Sequence, residues 1–458
     1  MRTKTVIFFW VLVIKEIVCP SLKAQDSHYW SDQYGTRADL LGGIVIGSVK
    51  DLSSVYYNPG AVSFSAERSL VISTHAFDVT FIDLGMPIME GKNYKYSKTR
   101  VAPAIFAIRL NNPLNFTKSF VISYVEKKDD EKEFDLLNLP YAKYDNPPEL
   151  IENTYNEIAI YNNIGEHWVG ATLTYTYHKK LGIGFTFYGA YRNQESKARL
   201  VIQNVDSTGA GLSFDKRANF EIDHLRLFAK FGIFYEEKNF SLGLTMILPS
   251  LDLFGRGNLQ YLNSDINVYK EDSRYSSIVN VNQSSLHASY KFPWSIGLGG
   301  AYNFGNSKCH FSIEYFTKIQ NYKMLDANPF IDPQNGQMVE LDVYSSAQSV
   351  LNYGIGFQHH IEPNLDLYIA VRTDFSSQYE TNFDVLGVTG YNKYHITSGT
   401  AFKAFEYYIT MGLSYGFGSS SSTSIFSKIL PNPIGDDNEN GEIDVKYESL
   451  KLILGFSF

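Results

Sequence analysis

The sequence predicts an all-β fold: a 14-stranded antiparallel transmembrane β-barrel with a small N-terminal hatch, or plug, inside its lumen. Three observations lead there. Apolar residues recur with a period of two over most of the chain, the alternating segments are unusually long, and the connections between them alternate between long and short.

Composition narrows the field first. Of 458 residues, 44% are hydrophobic, 15% aromatic and only 19% charged, yet the mean hydropathy is -0.18. Greasy residues alternating with small polar ones produce that combination. Beyond the N-terminus no stretch reaches the ~18–20 apolar residues that a spanning helix needs, and the wealth of aromatics argues against a disordered chain.

The first element is a leader over residues 1–24. Arg2 and Lys4 precede an apolar run from Val6 to Ile14, too short to span a bilayer but right for a secretory signal, with cleavage expected after Ala24. Cys19 is not read as a lipid anchor, because Ile17 and Val18 before it are not small. With the leader gone, Cys309 is the one cysteine left, so an internal disulfide or a thiolate metal site lacks ligands. Removing the leader's four basic residues and one acidic residue takes the net charge from -8 to -11, which disfavours a nucleic-acid partner.

The wall is predicted over 68–458. Val169, Ala171, Leu173, Tyr175 and Tyr177 alternate with Trp168, Gly170, Thr172, Thr174 and Thr176; after a short turn Leu181, Ile183, Phe185 and Phe187 alternate with Gly182, Gly184, Thr186 and Tyr188. The same pattern recurs at 365–372 and 409–417. Strands are expected at 68–83, 99–111, 118–126, 158–177, 181–204, 216–235, 240–260, 284–304, 308–325, 341–360, 363–376, 391–404, 406–418 and 444–458. A soluble sandwich also alternates, but its strands usually run about five or six residues. Long loops such as 127–157 and 261–283 alternate with short turns such as 178–180, as in a barrel with both termini on one side. Phe458, Phe456, Leu454, Leu452 and Leu450 close the chain on one face, which resembles the signal read by the assembly machinery of Gram-negative outer-membrane barrels.

Residues 25–67 lack the alternation and are rich in small residues. Within them GSVKDLSSVYYNPGAVSF resembles the N-terminal hatch of the FadL family of outer-membrane long-chain fatty acid transporters, with Asp51, Asn58 and Pro59 matching and Gly60 in place of the usual Ala. The segments at 101–108, 232–258, 291–304 and 353–377 resemble later parts of that family. The resemblance implies an outer-membrane transporter for fatty acids or similar hydrophobic molecules, gated by Asp51, Asn58, Pro59 and Gly60. It implies no catalysis and no cofactor, and a monomer surrounded by outer-membrane lipid and lipopolysaccharide. A turn that starts a strand is the plainer reading of Asn58-Pro59-Gly60.

Candidate ligand contacts are Arg192 and Arg372, which alternation places inward and which a carboxylate head would suit; pairing with acids such as Asp374 or Glu314 is the alternative. Loop 127–157, with Leu136, Leu137, Leu139, Pro140 and Tyr141, is expected to pack on other loops or to capture ligand. Asp436, Asn438 and Asn440 match the start of a calcium loop, although Tyr447 stands where the bidentate Glu belongs. His359-His360 lacks a third ligand. His310, Ser312 and Glu314 on one strand lie too far apart for a catalytic Ser–His pair. A general porin and a non-transporting barrel, enzyme or adhesin, are the competing readings.

Overall fold

The computed structural model describes residues 22–23, 28–65, 70–73, 77–85, 93–101, 105–110, 119–137, 151–206, 211–270, 273–332, 336, 338–378, 390–404, 407–423 and 442–457. The leader, apart from Leu22 and Lys23, which pair in parallel with Val343 and Tyr344, lies outside them. So do the candidate cation ligands Asp436, Asn438 and Asn440, and the loop residues Leu139, Pro140 and Tyr141.

The chain folds as one large sheet in which strands pair antiparallel with their sequence neighbours. The longest are Ile151–Tyr177, Leu181–Asp206 and Gly211–Glu236, in continuous register with one another. The last strand, Glu442–Ser457, pairs with Tyr407–Thr423 on one side and returns to Phe77–Gly85 near the start on the other. Every segment expected as a strand has a described counterpart.

The boundaries need correction. Residues 127–137 and 151–157 of the expected loop are strand, and Ser119–Leu137 pairs with 157–174; Leu251–Lys270 and Ser273–Ala288 likewise fill most of 261–283. On Leu181–Asp206 the exposed face carries Phe185, Phe187 and Tyr191 low down but Glu195, Lys197 and Arg199 above. Where both faces are polar, as from Lys127 to Glu133, the period-two signal disappears while the ladder continues.

Alternation sorts the faces as expected. Val169, Tyr175, Phe187, Leu298, Ile355, Ile369, Met411 and Leu413 are exposed, and together form an apolar band far larger than the patches water-soluble monomers present. Trp168, Thr172, Thr186, Tyr188, Arg192 and Arg372 lie on the buried face.

Several strands are broken at one level. The breaks fall between Phe240–Ile247 and Leu251–Lys270, and between Ser273–Ala288 and Ser295–Phe304. Pro249 and Pro293 sit in these gaps, and proline cannot donate to a ladder.

Candidate functional site: the N-terminal segment and the cavities beside it

Residues 28–65 form short helical turns, Thr36–Leu40, Ser54–Tyr57 and a 3-10 turn Pro59–Phe64, that pack on the buried face of the sheet. Too short to be stable alone, they are held by burial: Tyr34, Leu40, Leu52, Val55 and Val62 share one apolar cluster with Ile105, Val121, Trp168 and Tyr188.

Glycines on the strands make the seat. Asn58 is fully buried; its side-chain amide donates to the Ile46 and Ile233 carbonyls at 2.9 Å each, and its oxygen accepts from Gly60 N–H at 3.0 Å. Pro59 occupies the first position of the 3-10 turn, where its missing N–H costs nothing. A Cβ at Gly60 would lie 2.8 Å from the carbonyl oxygens of both Gly182 and Gly232. The turn therefore touches strand backbone directly, because both sides lack side chains there. Asp51 is a local cap, accepting from Ser53 N–H at 2.8 Å. The structure thus joins Asn58, Pro59 and Gly60 at one seat and leaves Asp51 apart.

Polar side chains complete the attachment. His310, Ser312 and Glu314, successive inward positions of one strand, hold three parts of the segment: His310 Nδ1 lies 2.8 Å from Ser48 Oγ, Ser312 Oγ accepts from Ile46 N–H at 3.3 Å, and Glu314 accepts from Trp30 Nε1 at 2.7 Å. Asp374 accepts from Trp30 N–H at 2.9 Å, and Arg372 donates to the Ser31 carbonyl at 3.3 Å. His359 pairs with Ser307 and His360 with Asp366. Among the described residues no group of three or more His, Cys, Asp or Glu could hold a metal.

Two cavities flank Asp32 and Gln33. One, about 30 Å³, is lined by Tyr29, Trp30, Tyr56, Trp168, Phe292 and Phe316 with Lys127 and Lys230, room for about two waters. Lys127 is the extra residue of a bulge between Glu126 and Lys128, which turns its ammonium inward to the Tyr56 hydroxyl at 2.9 Å. Above it, Glu166 accepts from Arg192 at 2.9 Å and from Trp168 Nε1 at 2.6 Å, and also pairs with Arg226. Arg192 stacks 3.9 Å from the Tyr290 ring centroid. Arg192 and Arg372 thus lie apart, each engaged with this chain's own groups.

The other cavity, about 110 Å³, is polar, with Asp32, Asp78, Arg100, Arg372, Lys393 and His395 among its lining. It adjoins a seam. Ile105–Leu110 pairs with Phe120–Val125 through backbone, but among the described residues no backbone pairing joins Asn93–Arg100 to 128–137. Side chains bridge instead: Tyr96 and Lys98 donate to the Glu131 carbonyl at 3.1 and 3.3 Å, and Arg100 to the Asp129 carbonyl at 2.9 Å. Arg100 also pairs with Asp32 at 2.7 Å and Asp78 at 3.1 Å, tying seam, first strands and N-terminal segment together.

Burial by itself would raise the Asp32 carboxyl, but Arg100, backed by Lys451, Lys128 and Lys127, holds it down from 3.8 to about 2. A depressed folded-state value gives stability that is complete above about pH 4 and is lost as pH falls toward 2. Asp32→Asn should therefore release the N-terminal segment to protease at neutral pH. Wild type should do so only in that acid window, and identical digestion profiles would refute the linkage.

The sequence signals for this site were partial. The Asn-Pro-Gly turn was visible, whereas Arg100, Lys127 and Trp30 were not singled out; the inward glycines Gly182, Gly184 and Gly232 lay in plain view as small residues opposite the greasy face.

No protein-family model matches the chain, and no curated protein does. Solved structures do. A TodX mutant monoaromatic hydrocarbon channel superposes with TM-score 0.58 at 14% identity, over 93% of this chain and 99% of that one. A Pseudomonas aeruginosa FadL homologue gives 0.57 at 12%, over 94% and 98%, and the P. putida toluene transporter TodX gives 0.56 at 13%, over 93% and 98%. These neighbours are channels and transporters rather than enzymes. Identity this low speaks for architecture, and the architecture is clear: the chain has the fold of the FadL-type transporters.

Proposed function

We propose that the protein is an outer-membrane channel for the uptake of hydrophobic compounds, small aromatics or long-chain fatty acids, gated by residues 25–67 acting as a hatch within a closed fourteen-stranded wall. The observation that carries this is the seating of the N-terminal segment on inward glycines beside an aromatic-lined cavity. The exposed apolar band suits lipid: on Leu181–Asp206 it runs from 181 to 191, the ~9–11 residues a tilted spanning strand needs.

In this reading a ligand settles among Tyr29, Trp168, Phe292 and Phe316, gaining about 0.8 kcal/mol per buried CH₂. The cavity is small, so entry requires the segment carrying Tyr29 and Trp30 to shift. An acidic ligand would compete with Glu166 for Arg192; Arg372 would act by holding the segment through its Ser31 carbonyl. Exit runs through the side-chain-bridged seam at Asn93–Arg100.

The test uses full-length protein expressed in the outer membrane of a Gram-negative host that lacks its own hydrophobic channel. Uptake of radiolabelled toluene or oleate should rise several-fold while that of a disaccharide stays at background. Free passage of the disaccharide through the wild-type protein would support the porin reading instead.

A further inference from the structure

Above the apolar band the outer face of the wall carries a polar groove. It crosses the strands Leu181–Asp206, Gly211–Glu236, Leu251–Lys270 and Ser273–Ala288. Its volume is about 290 Å³, near the lower end of the ~300–1,000 Å³ that small-molecule sites occupy. Register sets its side chains in two rows. Lys197, Asn219, Gln260 and Asn282 stand successively opposite one another, and nearer the band Glu195, Glu221 and Asn258 do the same. Glu221, Asn258, Gln260 and Asn282 are exposed.

A bulge makes the concavity. Between the pairs Gly257–Leu286 and Leu259–Gln283, Asn258 alone faces both Ser284 and Ser285, an arrangement that bends a strand and re-aims its side chains. Ser285 takes a φ of 57°, a left-handed conformation uncommon for a residue with a side chain. Its N–H donates to the Asn258 side-chain oxygen at 3.3 Å, which holds the bulge from within the groove.

The groups on display are amides and carboxylates. Each amide sets donors beside an acceptor, the complement of neighbouring hydroxyls on a sugar ring. Glu195 and Glu221 stand directly opposite each other, an unfavourable pairing of like charges. The Lys197–Glu195 ion pair relieves it in part, and hydroxyl donors would relieve the rest. A phosphate would meet more carboxylate than ammonium here. The apolar lining residues, Phe220 and Leu259, are buried, so the groove lacks the exposed anchors that carry a protein interface.

Position selects the source of the sugar. On Leu181–Asp206 the apolar band ends at Tyr191, and Glu195 and Lys197 follow on the same face. At ~3.3 Å per residue and a ~45° tilt they lie about 9–14 Å higher. That is beyond the roughly 5–8 Å of headgroup region on each side of a bilayer, at the level where core sugars of lipopolysaccharide surround an outer-membrane barrel.

We propose that the groove binds a neutral sugar ring of the lipopolysaccharide core, with Asn219, Gln260 and Asn282 exchanging hydrogen bonds with its hydroxyls and Glu221 accepting from one of them. This rests on the outer-membrane placement proposed above and adds a partner to it, fastening the wall to the sugar layer around it.

The test uses full-length protein purified in detergent. It is titrated with dephosphorylated lipopolysaccharide of complete core and with a truncated form lacking the neutral core sugars. Wild type should prefer the complete core by roughly tenfold, the worth of one or two net hydrogen bonds. The double variant Gln260→Ala/Asn282→Ala should lose that preference while binding the truncated form as wild type does, which shows its wall to be intact. Equal affinity of wild type for both forms, or an undiminished preference in the double variant, would overturn the site. A free disaccharide that binds as tightly as the complete core would overturn lipopolysaccharide as the source. The titration reads no transport, so absence of toluene uptake would sink the channel function and leave the groove, and absence of the core preference would do the reverse.

Discussion

Gly60→Ala is expected to unseat the N-terminal segment. The added methyl would sit 2.8 Å from two backbone oxygens, those of Gly182 and Gly232, and backbone in a paired ladder cannot step aside as a side chain can. Overpacking of this kind costs about 1–3 kcal/mol, which shifts the seated-to-released equilibrium by roughly five- to 150-fold. The turn would carry Asn58 away from Ile46 and Ile233, whose carbonyls it caps. Liposomes bearing the variant should swell in a disaccharide that wild type excludes, and protease should nick the segment faster. Gly60→Val should exceed Gly60→Ala in both readouts; wild-type behaviour from Gly60→Val would remove the glycine seat from the gating account.

Removing the Arg100 guanidinium should have an effect of similar size at the seam. Arg100→Ala leaves Asp32 and Asp78 facing each other in the polar cavity without their shared cation, and loss of one partner from a buried pair costs about 3–5 kcal/mol. Arg100 is itself about one-fifth exposed, so the lower end of that range is expected. The bridge to the Asp129 carbonyl goes too, and the seam should widen, read as faster labelling of a cysteine placed at Ser97. Arg100→Lys should rescue only in part, because one ammonium cannot span Asp32, Asp78 and a carbonyl together. Adding Asp32→Asn to Arg100→Ala should recover stability, since it removes the stranded carboxylate. Simple additivity of the two losses would show that Arg100 and Asp32 are not coupled.

How much was legible depended on what each residue faced. Period-two alternation located the strands wherever one face is apolar, as at Val169–Tyr177 and Leu181–Tyr191, because a residue's partner there is bulk environment and needs no particular neighbour. Above the apolar band the polar run from Lys127 to Glu133 erased the contrast, so the strand ran on through what was expected to be loop. Arg192 and Arg372 were placed on the correct face by parity alone. That one would stack on Tyr290 and pair with Glu166 while the other held Trp30 and Ser31 depended on strands and segments distant in sequence.

The sequence by itself determined the all-β class, the order of the strands, which residues face out, and the Asn58-Pro59-Gly60 turn, since each follows from local periodicity or local backbone chemistry. Only the tertiary structure decided that His310, Ser312 and Glu314 anchor the N-terminal segment, that Arg100 ties that segment to a seam without backbone bonds, and that a bulge at Ser285 opens an amide-lined groove on the outer face. Those are properties of neighbours distant in sequence, and no local pattern encodes a distance.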